Sequence, residues 1–433
     1  MISSKWCGVF LAVVVLVALV AGCAPQAAST TPPTTTAPAK VDQIKIGICR
    51  IASGAWASNP PWDDGAEFVF DEVNKSGGIK SMGGAKIVVV KGDNASDPAK
   101  MVPELERLYY EEKVDSFIQG TTGALNLAAT SVVDKMGVPF MATVGPADQI
   151  WPMNLHCWFS MCKAAQAYGD DMIIAFKGLV DEYKIKTDRI AIVTPEAPTN
   201  MGSRDGVLAG LKEMGLTDKV VSDIKHPATM DLESMVSVAT QIKASNPDVL
   251  FCTESSATLA TWLRAAQQIN FHAPIQINQT TTLSTEAGRK SVGDVLMDDQ
   301  AMNKPVFMES PIHQKSSWPQ FQAFNKKYQA WLDAKKMALH DYNYYTAVTA
   351  YALVEAYEKA GTKDPKVITD TLHKLRMTSD DPWLIVPFVG GSLSWDAQGK
   401  PTSFIYLTCQ WQNNQVEIVY PKDQRTNPNV IVK

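Results

Sequence analysis

The chain has 433 residues, 45% of them hydrophobic, with 40 Lys and Arg against 45 Asp and Glu for a formal charge of −5 at pH 7. This apolar content excludes an intrinsically disordered chain, and the acidic balance excludes a basic surface of the kind nucleic acid requires. The length admits one large domain or two lobes of ordinary size.

At the N-terminus, Lys5 precedes the apolar run VFLAVVVLVALVAG. The run falls short of the ~20 residues of a membrane span and ends in small residues, the pattern of an export signal. Val20-Ala21-Gly22-Cys23 resembles the bacterial lipobox. That likeness implies a lipoprotein signal peptide over residues 1–22 and a lipid anchor on Cys23. Residues 23–40 follow as a Thr/Pro/Ala-rich tether with no bulky apolar side chain to bury. Loss of Lys5 with the signal moves the formal charge from −5 to −6. Cys49, Cys157, Cys162, Cys252 and Cys409 remain, an odd number in a compartment that permits disulfides. Cys49 and Cys252 read as buried small apolar residues. Cys157 and Cys162 are near enough to pair, and their spacing leaves that open.

From residue 41 onward, short apolar runs alternate with helical patterns. QIKIGICRI is read as a strand, followed by a helix in DDGAEFVFDEVNKSGGI that Gly77-Gly78 end. AKIVVVKGD is the next strand, and DPAKMVPELERLYYEEK a helix opened by Asp97-Pro98. VDSFIQG, the TTGALNLAATSVVDKM helix and VPFMATV continue the alternation. After WPMNLHCWFSMC, where the pattern changes character, come RIAIVT, the MGSRDGVLAGLKEMG helix, VVSDIK, the DLESMVSVATQIKASN helix, DVLFCTE, the TLATWLRAAQQIN helix and PIQINQT. Strands alternating with helices imply mostly parallel sheets covered on both faces, and so many strands require two sheets.

Within this series, GTTGALNLAAT ends a strand and opens a helix, leaving backbone N–H groups and two hydroxyls at the sheet edge. Such a terminus suits an anionic or polar ligand, and equally an ordinary helix cap.

The segments IKIGICRIASGAW, GAEFVFDEVNKSGGI, the run from IVVVKGDNASDPAK to VPFMATV, RIAIVTPEAPTNMGSRDGVLAGLKEMG, NPDVLFCTESSATLATWLRAAQQI and SLSWDAQGKPTSFIYLTCQW fall in one order. Together they resemble the solute-binding proteins of branched-chain amino-acid ABC transporters, the leucine/isoleucine/valine-binding protein family, over residues 41–421. The resemblance implies an α/β type I periplasmic-binding fold: two doubly wound parallel-sheet lobes joined by three crossing segments. By position, lobe 1 would hold residues 41–154 and 283–377, and lobe 2 residues 155–282 and 378–433. Helices near Phe321 to Trp331 and Tyr342 to Lys359 would return to lobe 1. The crossings would lie near residues 155–162, 278–283 and 378–387.

Ligands of doubly wound sheets sit beyond the carboxyl ends of the strands. The expected ligand-binding residues are therefore Ser53 and Trp56, Thr121, Thr122 and Gly123, Ala142, Thr143 and Val144, and, from lobe 2, Thr199, Asn200 and Glu254, with residues 278–280 on a further loop. The resemblance assigns the loop Gly120-Thr121-Thr122-Gly123 to a ligand α-carboxylate, held by a hydroxyl and helix N-terminal amides. Amino-acid binders commonly carry a tyrosine on the first lobe 2 loop, where this chain reads EAPTNMG. The acidic candidates for an ammonium are Glu196, Asp231 and Glu254, of which Glu254, just past a strand, is best placed and serves equally as a helix cap or surface group. Trp56, Trp62 and Trp151 lie near cleft loops and serve either stacking or packing.

No G-x-S-x-G, H-E-x-x-H or Walker motif is present, and the six histidines are scattered with no carboxylate or cysteine at ligand spacing except His156-Cys157, so no enzyme, cofactor or metal site is expected. The expected protein is a monomeric, membrane-anchored extracytoplasmic lipoprotein of the periplasm or outer cell face. It would bind a small-molecule solute, an amino acid or related carboxylate or amide, for an ABC permease and its ATPase subunits. The alternatives are a ligand sensor of the same fold reporting to a membrane receptor and, with turnover, a secreted hydrolase.

Overall fold

The computed structural model describes residues 43–279 and 306–430, apart from 56, 58–60, 146, 311, 312, 314, 341, 379, 382, 383, 387, 389, 390, 403–405, 413 and 414. The expected signal peptide, tether, lipidated Cys23 and Trp56 lie outside these residues.

The first sheet is built from β1 (Gln43–Arg50), β2 (Lys86–Asp93), β3 (Ser116–Gly120), β4 (Phe140–Val144) and β5 (Trp158–Ser160), in the order β2-β1-β3-β4-β5. All its pairings are parallel. Between them run α1 (Asp64–Lys75), α2 (Pro98–Tyr110) and α3 (Gly123–Met136). Local chemistry fixes their ends. The Asp97 carboxylate accepts from the Ala99 amide with Pro98 in the first turn, and α3 closes on Gly137 at φ 67°. β3 and β4 are buried at every residue, which is why they read as continuous apolar runs rather than alternating ones.

The second sheet takes α4 (Ala165–Tyr183), β6 (Ile190–Pro195), α5 (Pro198–Glu213), β7 (Val220–His226), α6 (Leu232–Ala244), β8 (Val249–Cys252), α7 (Ser256–Gln268), β9 (Ile275–Asn278) and β10 (Val306–Ser310). The chain then forms α8 (Pro319–Lys335), α9 (Tyr342–Ala360), α10 (Pro365–Lys374), a short β11/β12 pair (Met377–Thr378 with Ser392–Leu393), and finally β13 (Leu407–Gln412) and β14 (Gln415–Tyr420). The strand order of the second sheet is β14-β13-β10-β9-β8-β6-β7. β13 runs antiparallel to β10 and β14 antiparallel to β13, so a C-terminal ribbon edges an otherwise parallel sheet.

Each sheet carries an apolar layer on both faces. Ile44, Ile46, Ile118 and Met141 pack under α1, α8 and α9, while Phe117 and Phe140 meet Leu105, Leu125 and Val133 on the other side. In the second sheet, Ala191, Val193, Leu250 and Cys252 face α6 and α7, and Ile190, Ile192, Phe251 and Ile277 face α4 and α5. The result is two doubly wound lobes, the type I arrangement.

Sheet and core membership move the expected lobe boundaries at three points. β5 pairs with β4 in the first sheet, its Trp158 ring stacked on Phe140 at 4.9 Å, so the first crossing follows Ser160 instead of beginning at residue 155. β10, expected in lobe 1, pairs with β9 and β13 in the second sheet, which puts the second passage after Ser310 and before α8. Leu384, Ile385, Val386, Phe388, Leu393, Trp395 and Tyr406 all join the core of the first lobe, so the third passage comes just before β13 and not at residues 378–387. Cys157 and Cys162 form no disulfide; both thiols are buried, and the Cys162 Sγ lies 3.2 Å from the Thr143 carbonyl. No helix among the described residues is long and apolar enough to cross a membrane.

Candidate functional site

The carboxyl ends of β3 and β4 face those of β6, β8 and β9 across a cavity of about 320 Å³. From the first lobe, the wall is the α3 N-terminus at Thr121–Ala124, with Val144 and Gly145 past β4. Gly145 holds φ at 77°, and a Cβ there would lie 2.2 Å from the Thr121 carbonyl oxygen. Only glycine lets the β4 loop close this tightly on the β3 loop. From the second lobe, the wall is the β6–α5 loop at Pro195 and Ala197–Asn200, with Glu254 and Ser255 past β8 and Gln279 past β9.

Seven of the expected residues, Thr121, Thr122, Gly123, Val144, Thr199, Asn200 and Glu254, are brought together on this cavity. Three expected residues are not on its wall. Ser53 is exposed and its hydroxyl donates to the Asp93 carboxylate at 2.6 Å, tying two loops together. Ala142 sits inside β4 in the apolar layer, and Thr143 turns its hydroxyl to the Gln119 carbonyl at 2.9 Å, bridging β3 and β4. Trp151 is buried with its indole N–H on Asp148 at 3.0 Å, a packing role.

The remaining wall is largely aromatic, and of its rings only Trp62, in the loop past β1, was expected near the cleft. Trp62 precedes α1, Tyr168 belongs to α4, and Tyr342 and Tyr345 open α9. Trp62 meets the Tyr342 ring edge-on at 5.2 Å. The Tyr345 hydroxyl is 3.0 Å from that of Tyr406, and the Lys163 ammonium caps the Tyr406 ring at 3.5 Å. These contacts fix the rings before any ligand arrives. Ser96, in the left-handed region at φ 59° next to Ala95 at 51°, brings the β2–α2 loop to the same cavity. Both strained positions are held by side chains: the Asp93 carboxylate accepts from the amides of Ala52, Ser53 and Ala95, and the Asn94 Oδ1 from the Ser96 amide.

Two adjacent threonines differ. The Thr122 hydroxyl accepts from the Leu125 amide at 3.5 Å as the α3 cap. The Thr121 Oγ1 is buried and has no hydrogen-bond partner. The Glu254 Oε2 and Gln279 Oε1 share that condition on the opposite wall. Buried polar atoms are almost always paired, so three partnerless ones on residues that line a single cavity make these side chains candidates for pairing with a ligand.

Among the described residues, Glu254 is the one charged residue on the wall, and it is fully buried. Its Oε1 lies 2.7 Å from the Nε2 of His226. Burial alone would favour the neutral ring, but the hydrogen bond and charge of Glu254, with the Pro227 carbonyl and the charge of Glu196, outweigh it and raise the His226 pKa. The arrangement offers N–H donors at the α3 terminus, a buried carboxyl opposite, and four aromatic rings between. Among the described residues it holds no nucleophile paired with a base.

A sequence profile of the family described as "periplasmic binding protein" matches residues 43–410. The chain belongs to the periplasmic binding protein family. An "amino acid binding protein" of Pseudomonas aeruginosa is 22% identical over 375 residues, 86% of this chain and 90% of that one. Among solved structures, the branched-chain amino acid transporter substrate-binding protein LivJ of Streptococcus pneumoniae, in complex with isoleucine, superposes with a TM-score of 0.68 at 19% identity, covering 88% of this chain and all of that one. A solute-binding protein of an ABC transporter from R. palustris, in complex with benzoate, gives 0.65 at 17% identity over 90% and 99% of the two chains. At such identities the structures show a shared fold. The family is one of extracytoplasmic solute-binding proteins, and LivJ is of the branched-chain amino-acid type that the sequence resembles.

Proposed function

We propose that this chain is a lipid-anchored, monomeric receptor that captures a small solute with a carboxylate or amide group and an apolar or flat body, and delivers it to an ABC permease driven by separate ATPase subunits. The observation that carries the reading is the ring of partnerless buried atoms, the Thr121 Oγ1 on one side and the Glu254 Oε2 and Gln279 Oε1 on the other, around an aromatic-walled cavity. A carboxylate or carbonyl at the α3 terminus would accept from the Thr121 hydroxyl and the free helix amides, where the helix dipole favours an anion. A donor at the other end, an ammonium or amide N–H, would meet Glu254 and Gln279. Trp62, Tyr168, Tyr342 and Tyr345 would enclose the body between. The ligands named for two structural relatives, isoleucine and benzoate, fit this division into a carboxylate and an apolar remainder.

The closing lobes are residues 43–160 with 319–406, and residues 165–310 with 407–430, following sheet and core membership. A ligand touching both has differential affinity for the closed state and shifts the equilibrium toward it. Anchoring rests on Val20-Ala21-Gly22-Cys23. Cys23→Ala is expected to leave the chain unlipidated, and a lipid found on that variant by intact mass would refute the anchor.

The test of the binding reading is a thermal-shift panel of branched-chain and aromatic amino acids, small amides and aromatic carboxylates. A ligand at 100 times its dissociation constant adds roughly 2.7 kcal/mol. The expected result is one compound class that raises the melting temperature and is recovered chemically unchanged; conversion of the compound would establish a hydrolase instead.

A further inference from the structure

His226 does not line the cavity, yet both nitrogens of its buried ring are committed. Nδ1 lies 2.9 Å from the Pro227 carbonyl oxygen, which only accepts, so Nδ1 carries a hydrogen. Nε2 lies 2.7 Å from the Glu254 Oε1, and the other oxygen of that carboxyl, Oε2, is the partnerless acceptor at the cavity. Two bare lone pairs at that separation would repel, so one further proton occupies the Nε2–Oε1 contact. It resides on the ring, giving an imidazolium and a carboxylate, or on the carboxyl, giving two neutral groups. Either way the pair has zero net charge.

We propose that His226 is a positioning residue that keeps this proton on the pair, so that the Glu254 end of the cavity is electrically neutral near pH 7 and becomes negative only when the proton leaves. The proposal rests on the reading that this cavity holds the ligand. A bare carboxylate would favour any cation. A carboxyl whose charge is balanced from behind makes the cavity accept ligands with or without an ammonium there, and ties the preference between them to proton release.

Burial of the ring opposes its protonation, and the polar groups around it act together in the other direction. Glu254 from β8 and Glu196 from the β6–α5 loop both favour the protonated ring, as does the Pro227 carbonyl. From β6, the residue in register is Pro195, which has no charge. On β8, Cys252 sits beside Glu254, its thiol kept neutral by burial. Asp231, where α6 begins, is spent on capping the Ser234 amide. Among the described residues, no lysine or arginine lines the cavity to replace the proton.

The experiment uses the full chain with ¹⁵N-labelled histidine rings, followed by two-bond proton–nitrogen spectra from pH 5 to 10, with His226→Gln to assign the resonance. The proposal expects a hydrogen on Nδ1, a midpoint above the ordinary histidine value, and a fall of that midpoint by more than one unit in Glu254→Gln. A bare Nδ1, a midpoint at or below the ordinary value, or the same midpoint in Glu254→Gln overturns it; the wild-type spectrum alone decides the first two, should a variant fold poorly. Affinities for L-phenylalanine and for 3-phenylpropanoate, which lacks only the ammonium, give the second arm. The ratio in favour of phenylalanine at pH 7 is expected to rise about tenfold in His226→Gln, equal to one pK unit of charge compensation. An unchanged or lowered ratio contradicts the proposal. If neither probe alters the melting of either form, the ligand reading loses its support, while the spectra still determine whether His226 holds the proton.

Discussion

Thr121 and Thr122 are neighbours on one loop with opposite engagements: the Thr122 hydroxyl caps α3 through the Leu125 amide, and the Thr121 hydroxyl is buried at the cavity without a partner. Thr121→Val, which removes the hydroxyl and keeps the volume, is therefore expected to cost ligand affinity by about 1–3 kcal/mol with little loss of stability. Thr122→Ala is expected to cost about 1 kcal/mol of stability and to leave affinity nearly unchanged. Calorimetric titration together with thermal melting of the two variants separates these patterns, and the reverse assignment would show that the ligand group faces Thr122.

The N-terminus of α1 gives the fold a pH dependence. Burial, countered partly by Arg50, pushes the Asp63 carboxyl up to about 6, and burial with the neighbouring charges of Asp63 and Glu67 pushes Asp64 up to about 7, from 3.8 in both cases. Between about pH 4 and 7 the folded chain then binds more protons than the unfolded chain, so this cluster makes stability fall as pH rises through that window and level off above it. Asp64→Asn keeps the shape, leaves Arg50 its contacts with Asp63 and Glu67, and is expected to raise stability at pH 8 by on the order of 2 kcal/mol while flattening the profile. Denaturant midpoints measured from pH 4 to 8 check this; a profile as steep in the variant as in the parent would remove Asp64 from the account.

Asp93 works in the other sense. Burial alone would raise its pKa, but hydrogen bonds from the Ser53 hydroxyl and from the Ala95, Ala52 and Ser53 amides outweigh that and lower it. The stability it contributes is present above its unfolded pKa and is lost as pH falls through the lowered value. Because the side chain is exposed, the larger consequence is local. Asp93→Ala is expected to release the left-handed turn at Ala95 and Ser96, with faster hydrogen exchange at the Ala52 and Ser53 amides and unchanged exchange in β4. Equal protection in both proteins would mean that the backbone holds the turn alone.

Gly145→Ala tests the close approach of two loops. The added Cβ would sit 2.2 Å from the Thr121 carbonyl oxygen and 2.5 Å from the Thr122 carbonyl carbon, so the binding loop must shift. Affinity is expected to drop more than tenfold, and melting to fall by a few degrees, because the φ of 77° also disfavours alanine. Wild-type affinity in this variant would place the ligand away from α3.

The first-lobe loops were legible because each is a local event: an apolar run, a Gly or Thr, then a helix with its cap, as in Gly120 to Leu125. The same pattern located Thr199, Asn200 and Glu254. Apart from Trp62, the aromatic wall was not legible, since Tyr342 and Tyr345 reach the cavity from α9, far along the chain, and nothing local distinguishes them from the core tyrosines Tyr344 and Tyr357 of the same helix. Thr143 was misplaced through a two-residue period: Val144 faces the cavity, and its neighbour therefore faces the β3 carbonyls. The lobe boundaries shifted because β10 and β13 pair across a long separation, Phe307 with Gln410, a contact that no local pattern encodes. Asp148 was not anticipated either; its carboxylate accepts from the Ala165 and Gln166 amides at the start of α4, a cap supplied from outside the helix.

The central claim is that one ligand bridges both lobes in this cavity. Calorimetric titration of the ligand returned by the panel into the wild-type chain, Thr121→Val and Gln279→Leu tests it directly, because these two residues present partnerless oxygens from opposite lobes. The account predicts one ligand per chain and a loss on the order of tenfold in each variant, within the 1–3 kcal/mol of a buried unpaired polar group. Undiminished affinity in either variant would contradict it, since a ligand indifferent to one wall does not bridge the two lobes.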